Sequence, residues 1–372
     1  MPVLDVNRLI DNRVAAIRAY HEKHGFKKAE LDLSGGIDSA VMACLLWIAL
    51  GPENVTLVHS RFSTSGAQTD RAQRLAAALG IPLNDDDYTD VYDALVGKAL
   101  GSIGRAHGFD SPEYKDAQQR FADKRTIGGS LRSMMRTPIG MFFLLLKGDG
   151  IRHGTGNECE DRIIRFYNRF GDGSVGTNPL DMLSKTEVWQ LAWGLGERLG
   201  PEVKAVMRDT IIATPSPDLW GIGDGHSDEA EMLAVYKVPF GYGRVDPDTG
   251  EILRFGTLER IARFIDWVKE RIFSNPDTGL VCDDDQIVWN AREAAWEKLY
   301  QIAPAHRLFE GISADEVVAL LKAARYAERI SRHKMNPNIP NLGSRKGLVQ
   351  EGILSDDLTP AGVPPVVADK RN

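Results

Sequence analysis

The ten residues LDLSGGIDSA (31–40) decide how this chain folds. Residues 29–33 alternate as a short strand does, and beyond the turn Val41, Cys44, Leu45, Ile48 and Ala49 recur at helical spacing. Between the two lie Ser34, Gly35 and Gly36, then Asp38 and Ser39. Paired glycines cost backbone entropy and are kept where the chain must let something approach closely. A strand that ends in a glycine turn and opens a helix presents N–H groups and a positive helix end to an anion. Ser34 and Ser39 add hydroxyl donors. Asp38 would repel a phosphate, and a Mg²⁺ ion bridging carboxylate and phosphate removes that conflict. The lysine-bearing phosphate loop G-x-x-x-x-G-K-[ST] is absent, so this is a different phosphate-binding turn.

Working outward, residues 54–58 read as a second strand and 70–79 as a helix stopped by Gly80-Ile81-Pro82, with an extended piece leading to Tyr88. Alternating strands and helices predict a doubly wound α/β fold, a parallel sheet covered on both faces. Residues 93–125 are polar and read as helix or loop, and 137–147, with the run MFFLLL, as a buried helix. A further strand ends at 151–154. The stretch 184–199 is a helix with Val188, Leu191 and Leu195 on one face, and VDPDTGEILRF reads as a turn between two short strands. A helix is expected over about 314–331. The predicted organisation is a nucleotide-binding domain over 1–235, an insertion over 236–300, a helical segment over 301–342 that completes the domain, and a mobile polar tail over 343–372.

A second group of residues strengthens the nucleotide interpretation. GTGNECE (154–160) follows a predicted strand, GDG (171–173) comes soon after, and LSKTEV (183–188) opens a helix. Open α/β sheets bind ligands beyond the carboxyl ends of their strands. Glu160, Asp172 and Lys185 would meet there, two carboxylates and a lysine suited to a magnesium nucleotide.

Composition bounds the alternatives. The chain has 372 residues, a net charge of -7 and 26% charged residues. That argues against general nucleic-acid binding. No apolar run reaches the length of a membrane span, and the amphipathic N-terminus lacks the apolar stretch of a signal peptide. Three cysteines, Cys44, Cys159 and Cys282, show neither disulfide nor zinc spacing, so a reducing, cytoplasmic compartment is expected.

In their order along the chain, SGGIDS, GTGNECE, GDG, LSKTEV, PSPDLW and DEAEM resemble the NAD synthetase family, within the N-type ATP pyrophosphatases. A shorter echo, RISRHKMNPNIP, occurs near residue 330. The resemblance implies an adenine nucleotide alpha hydrolase-like fold and an ATP-dependent ligase. Such an enzyme adenylates a carboxylate, nicotinic acid adenine dinucleotide, releases pyrophosphate, and lets ammonia displace AMP. It implies that Ser34, Gly35, Gly36, Asp38, Ser39, Arg61, Thr155, Lys185 and Ser216 hold ATP. It further implies that Asp38 and Glu160 bind Mg²⁺, that Asp172 and Lys185 are catalytic, and that Arg132, Arg136, Asn157, Asp172 and Lys334 face the acid substrate. A homodimer is implied as well. Free ammonia, or ammonia from a separate partner, is the expected nitrogen donor, because only about 30 residues precede SGGIDS, too few for a glutaminase domain.

The chain departs from the family pattern in places. Ser130 and Met134 stand where the family carries Asn and Arg, and Met335 follows His333-Lys334 where Arg is common. A thioether cannot replace a guanidinium's fork of donors. The spacing from GTGN to GDG is one residue longer than usual. These departures leave open a relative that amidates another acid or takes another amine, a sulfur transferase using Cys159, and a nucleotide-binding regulator without catalysis. Other features have plain structural explanations. Asp283–Asp285 suits a solvated acidic loop, His153 and His226 suit a structural place or a substrate contact, and Trp189, Trp193 and Trp220 suit core or interface positions. Asp228 and Glu231 suit either an exposed helix start or a contact with substrate or a partner subunit.

Overall fold

The computed structural model describes residues 3–216, 227–273, 286–334, 342–356 and 358. Helix α1 (Val6–His24), capped by Asp5, leads to β1 (Lys28–Asp32). Then come α2 (Ile37–Leu50), β2 (Val55–Arg61), α3 (Gly66–Ala78) and β3 (Leu83–Asp87). Helices α4 (Thr89–His107), α5 (Pro112–Asp123) and α6 (Arg125–Lys147) precede β4 (Gly150–Arg152). The four strands are all parallel, in the order β3-β2-β1-β4. This is the doubly wound sheet expected from the sequence. Its strand order reverses between β1 and β4, where such sheets bind ligands.

Helices cover both faces. On one side lies α2, buried almost all round, with α1, α7 (Lys185–Leu199) and α8 (Pro201–Ile212) packed against it. On the other lies α6, which packs on β1, β2 and β4. Between α6 and the sheet, Arg152 grips both oxygens of Glu30 at 2.8 and 2.7 Å. Gly140 makes room for that pair, since a Cβ there would sit 1.8 Å from the Arg152 guanidinium.

The expectation of a buried MFFLLL run is corrected. The segment is helical, but Phe142, Leu145 and Leu146 are 58%, 73% and 66% exposed. Six consecutive apolar residues cover every side of a helix, and only one side can meet the sheet. The side that does carries Gly129, Ser133, Gly140 and Leu144.

The later elements are α9 (Asp228–Tyr236), the antiparallel pair β5 (Arg244–Val245) and β6 (Ile252–Arg254), α10 (Thr257–Arg271), α11 (Gln286–Trp289), α12 (Glu293–Ile302), α13 (Ala314–Ser331) and α14 (Arg345–Gln350). The β5–β6 pair is the turn expected from VDPDTGEILRF. Leu258, Ile261, Phe264 and Val268 of α10 and Leu320 of α13 belong to the same core as Leu9 and Leu31.

The expected mobile tail is also corrected over its described part. Leu348, Ile353 and Leu354 are buried, the Leu4 N–H donates to the Ile353 carbonyl at 3.0 Å, and Leu354 bridges to Val3. Apolar residues spaced within a polar stretch find a groove beside α1. Among the described residues no helix is long and apolar enough to cross a membrane.

Candidate active site at the switch point of the sheet

A cavity of about 670 Å³ opens beyond the carboxyl ends of β1 and β4. The SGGIDS turn forms one wall. Gly35 has φ +82°, and a Cβ on it would lie 2.1 Å from the Gln68 carbonyl oxygen, so only glycine fits. Gly36 caps α2, and its N–H donates to Ser34 Oγ at 3.2 Å. Ser39 Oγ donates to the Gly36 carbonyl at 3.0 Å and lies 3.0 Å from Ser34 Oγ. Arg71 of α3 ties the turn down by donating to the Gly35 carbonyl at 2.8 Å. The result is a rigid turn with the positive end of α2 facing the cavity.

The GTGN turn after β4 forms the opposite wall. Asn157, with 0% exposure, donates to Asp38 Oδ1 at 3.1 Å and accepts the N–H groups of Cys159 and Glu160 at 3.1 and 3.3 Å. One amide thereby fixes Asp38 and Glu160 relative to each other. The ammonium of Lys185 closes the unit, donating to Asp38 Oδ2 at 2.6 Å and to Glu160 Oε1 at 2.7 Å. Lys185 is the first residue of α7, whose start is set by a capping box between Ser184 and Glu187.

Charge in this unit is unbalanced. Burial works against the Lys185 ammonium, but Asp38, Glu160 and Asp228 outweigh it and hold the lysine above its ordinary pKa. Burial raises Asp38, helped by Glu160 and opposed by Lys185. Asp228, also buried, is pushed up to about 8 by burial and by Glu160. Its Oδ1 has no hydrogen-bond partner among the described residues. Three carboxylates around one lysine, one of them with an orphaned oxygen, suit a divalent cation. Among the described residues no three or more metal-ligating side chains form a cage. A cation held by one or two carboxylates and completed by substrate phosphates is the arrangement Mg²⁺ prefers.

The remaining expected residues divide. Thr155, Arg136, Asp172, Ser216 and Lys334 line the same cavity. Asp172 lies exposed at its mouth and accepts a hydrogen bond from Ser133 at 2.7 Å. Arg136 stands 3.9 Å from Asp32. Lys334 donates to the Arg165 carbonyl at 2.9 Å, and burial lowers its pKa despite Asp172 nearby.

Arg61, Arg132 and Asn157 lie outside the cavity lining. Arg61 is drawn to Asp85 at 2.6 Å, because β2 pairs with the acidic β3. Arg132 stacks 4.6 Å over the Tyr92 ring. Asn157 sits one layer behind the cavity wall. Cys159 is fully buried, and burial pushes its thiol well above the ordinary value, which leaves it inert as a sulfur donor. Met335, Trp220, His226, Cys282, Asp283, Asp284 and Asp285 lie outside the described residues.

Of the two possibilities open for Asp228, an exposed helix start or a contact at the site, its burial favours the second. The structure also adds residues that the motifs did not reveal. Arg71 sits on a helix with no signature. The Tyr242 hydroxyl donates to Glu160 Oε1 at 3.2 Å from a stretch with no motif at all.

Comparison with known proteins places this geometry. The chain is 31% identical over 241 residues to the NH(3)-dependent NAD(+) synthetase of Chlorobium phaeobacteroides (strain BS1), covering 63% of this chain and 71% of that protein. It is 29% identical over 235 residues to the NH(3)-dependent NAD(+) synthetase of Methanosarcina acetivorans, covering 63% and 79%. The structure of NMN synthetase from Francisella tularensis shares the fold, with a TM-score of 0.56, 19% identity, and coverage of 90% of this chain and 99% of that one. The family model for NAD synthase matches residues 9–240, which contain both cavity walls and the lysine between them, and the chain belongs to that family.

Proposed function

We propose that the protein is an ATP-dependent amide-forming ligase that converts nicotinic acid adenine dinucleotide and ammonia to NAD, with AMP and pyrophosphate as the other products. The observation that carries this is the Lys185 ammonium, held between a carboxylate of the first turn and one of the second at 2.6 and 2.7 Å. Membership of the NAD synthase family and the NH(3)-dependent NAD(+) synthetases among its relatives support it.

A carboxylate is a poor acyl donor because its leaving group would be oxide. Its attack on the α-phosphorus of ATP expels pyrophosphate and forms an acyl-adenylate. Ammonia then adds to the acyl carbon, and AMP leaves with the bonding electrons. The turn at 34–39 and the start of α2 would hold the phosphates, with Thr155 and Ser216 as further polar contacts. Lys185 would offset the charge that builds on the departing pyrophosphate. Asp38 and Glu160 would hold Mg²⁺, which supplies further neutralisation of the phosphate oxygens. Asp172, oriented by Ser133, would bind ammonium and take its proton. Arg136 and Lys334 would face the anionic acid.

The active unit is proposed to be a cytoplasmic homodimer. The exposed apolar side of α6, with Phe142, Leu145 and Leu146, supports a covering partner. Incubation with ATP, Mg²⁺, ammonium and nicotinic acid adenine dinucleotide tests the function, with NAD read by mass and pyrophosphate by coupled assay. NAD formation that disappears in Asp38→Ala is expected. Pyrophosphate release without NAD would refute the substrate assignment and favour another acid.

A further inference from the structure

We infer that Tyr242, which follows the family-matched residues 9–240, is a positioning residue that fixes how Glu160 presents its carboxylate to the cavity. This rests on the proposal that Asp38 and Glu160 hold a divalent cation.

Tyr242 is 1% exposed, and its hydroxyl donates to Glu160 Oε1 at 3.2 Å. The same oxygen accepts from Lys185 at 2.7 Å. Two donors on separate elements therefore hold Oε1. Among the described residues Oε2 receives no hydrogen bond, which leaves it for the cavity that Glu160 lines. The Tyr242 ring also covers the lysine, whose Nζ lies 5.3 Å from the ring centre.

The segment carrying Tyr242 is itself tightly held. Glu229 of α9 accepts the Tyr242 N–H at 3.0 Å and the Arg244 guanidinium at 3.1 Å. Gly243 presses on α7 closely enough that a Cβ would lie 2.1 Å from Thr186 Oγ1. Glu259 of α10 accepts the Thr186 N–H at 2.9 Å and also bonds the Thr186 hydroxyl, while its other oxygen takes the Gly256 N–H at 2.7 Å. Residues 241–259 therefore wrap the start of α7, and Tyr242 is the member that reaches Glu160. Partners that orient a metal ligand typically change metal affinity by about 10–100-fold when removed.

The test is Tyr242→Phe, which removes one oxygen and keeps the ring. Mn²⁺ binding is followed by the loss of the free-ion paramagnetic resonance signal, with a non-hydrolysable ATP analogue present. The expected result is Mn²⁺ affinity weakened by roughly tenfold. Pyrophosphate release should recover at high Mg²⁺, so that half-saturating Mg²⁺ rises while kcat holds. A purely structural role would lower Tm and kcat without moving the metal dependence. Asp38→Asn separates the two claims. If Asp38→Asn loses Mn²⁺ binding and Tyr242→Phe binds as wild type does, the positioning role is overturned alone. If Asp38→Asn also binds normally, the metal assignment falls and this role with it.

Discussion

The buried pair His21–His153 should make the protein acid-sensitive in a calculable way. His21 Nδ1 faces the Phe26 carbonyl at 3.1 Å and must donate to it, so its Nε2 accepts. The Nε2 atoms of the two rings are 2.9 Å apart, which makes His153 the donor between them. Its Nδ1 then accepts from Thr177 at 2.7 Å. Every proton in this chain is assigned and both rings are neutral; a further proton on His21 Nε2 would set two N–H groups against each other, and one on His153 Nδ1 would displace the Thr177 hydroxyl proton. Burial, helped by repulsion from His21, lowers His153 to about 3 from 6.5. An unfolded chain takes up that proton near 6.5 and the folded one does not. The stabilisation is therefore complete above the unfolded value and is lost as pH falls toward the folded one. At pH 5 the loss is roughly 2 kcal/mol, from about 1.4 kcal/mol per pH unit over the interval crossed. Burial lowers His21 as well, which adds in the same direction. Urea unfolding of the wild type and His153→Gln between pH 7 and 5 measures it. The stability difference between them should shrink by about 2 kcal/mol across that range. Parallel pH curves for the two proteins would refute the tautomer assignment and the shift together.

Two further perturbations test other parts of the structure. Arg345 grips both oxygens of the fully buried Glu187 at 2.8 and 2.9 Å, so Arg345→Ala strands a carboxylate beneath the start of α7. It should cost about 3–5 kcal/mol in chemical denaturation, and a loss under 1 kcal/mol would contradict the pairing. Leu145→Glu on the exposed side of α6 should convert a dimer to a monomer in sedimentation while leaving Tm nearly unchanged, and a dimer that persists would exclude this face as the interface.

What was legible in the sequence was local. The Gly35-Gly36 turn, the helix opening at Ser184 and the alternation of strands with helices are each written within a few residues, and each forms as expected. What was not legible depends on which surface a residue meets. Arg61 sits at the end of a strand like a ligand-binding residue, but the neighbouring acidic strand places Asp85 and Asp87 within its reach. Asp228 fits a solvated helix start and a site contact equally well in sequence, and elements far along the chain decide its burial. Arg345 lies in a stretch as polar as any tail, and only the buried Glu187 gives it a place.

The stretch between GTGN and GDG opens with an unusual turn. Residues Cys159–Ile164 form a π-helical turn, which holds one more residue per hydrogen-bonded ring than an α-helix. The backbone leaves it through Arg165 at φ 47°. Because Asn157 accepts the N–H groups of Cys159 and Glu160, the turn begins at a set point. Glu160 is held there on Lys185, and Asp172 lines the cavity beyond it. The wider turn also folds Asp161 over Gly156, where a Cβ would lie 1.9 Å from Asp161 Oδ2. The second glycine of GTGN therefore makes room for the carboxylate the turn brings in, in addition to any close approach of a nucleotide.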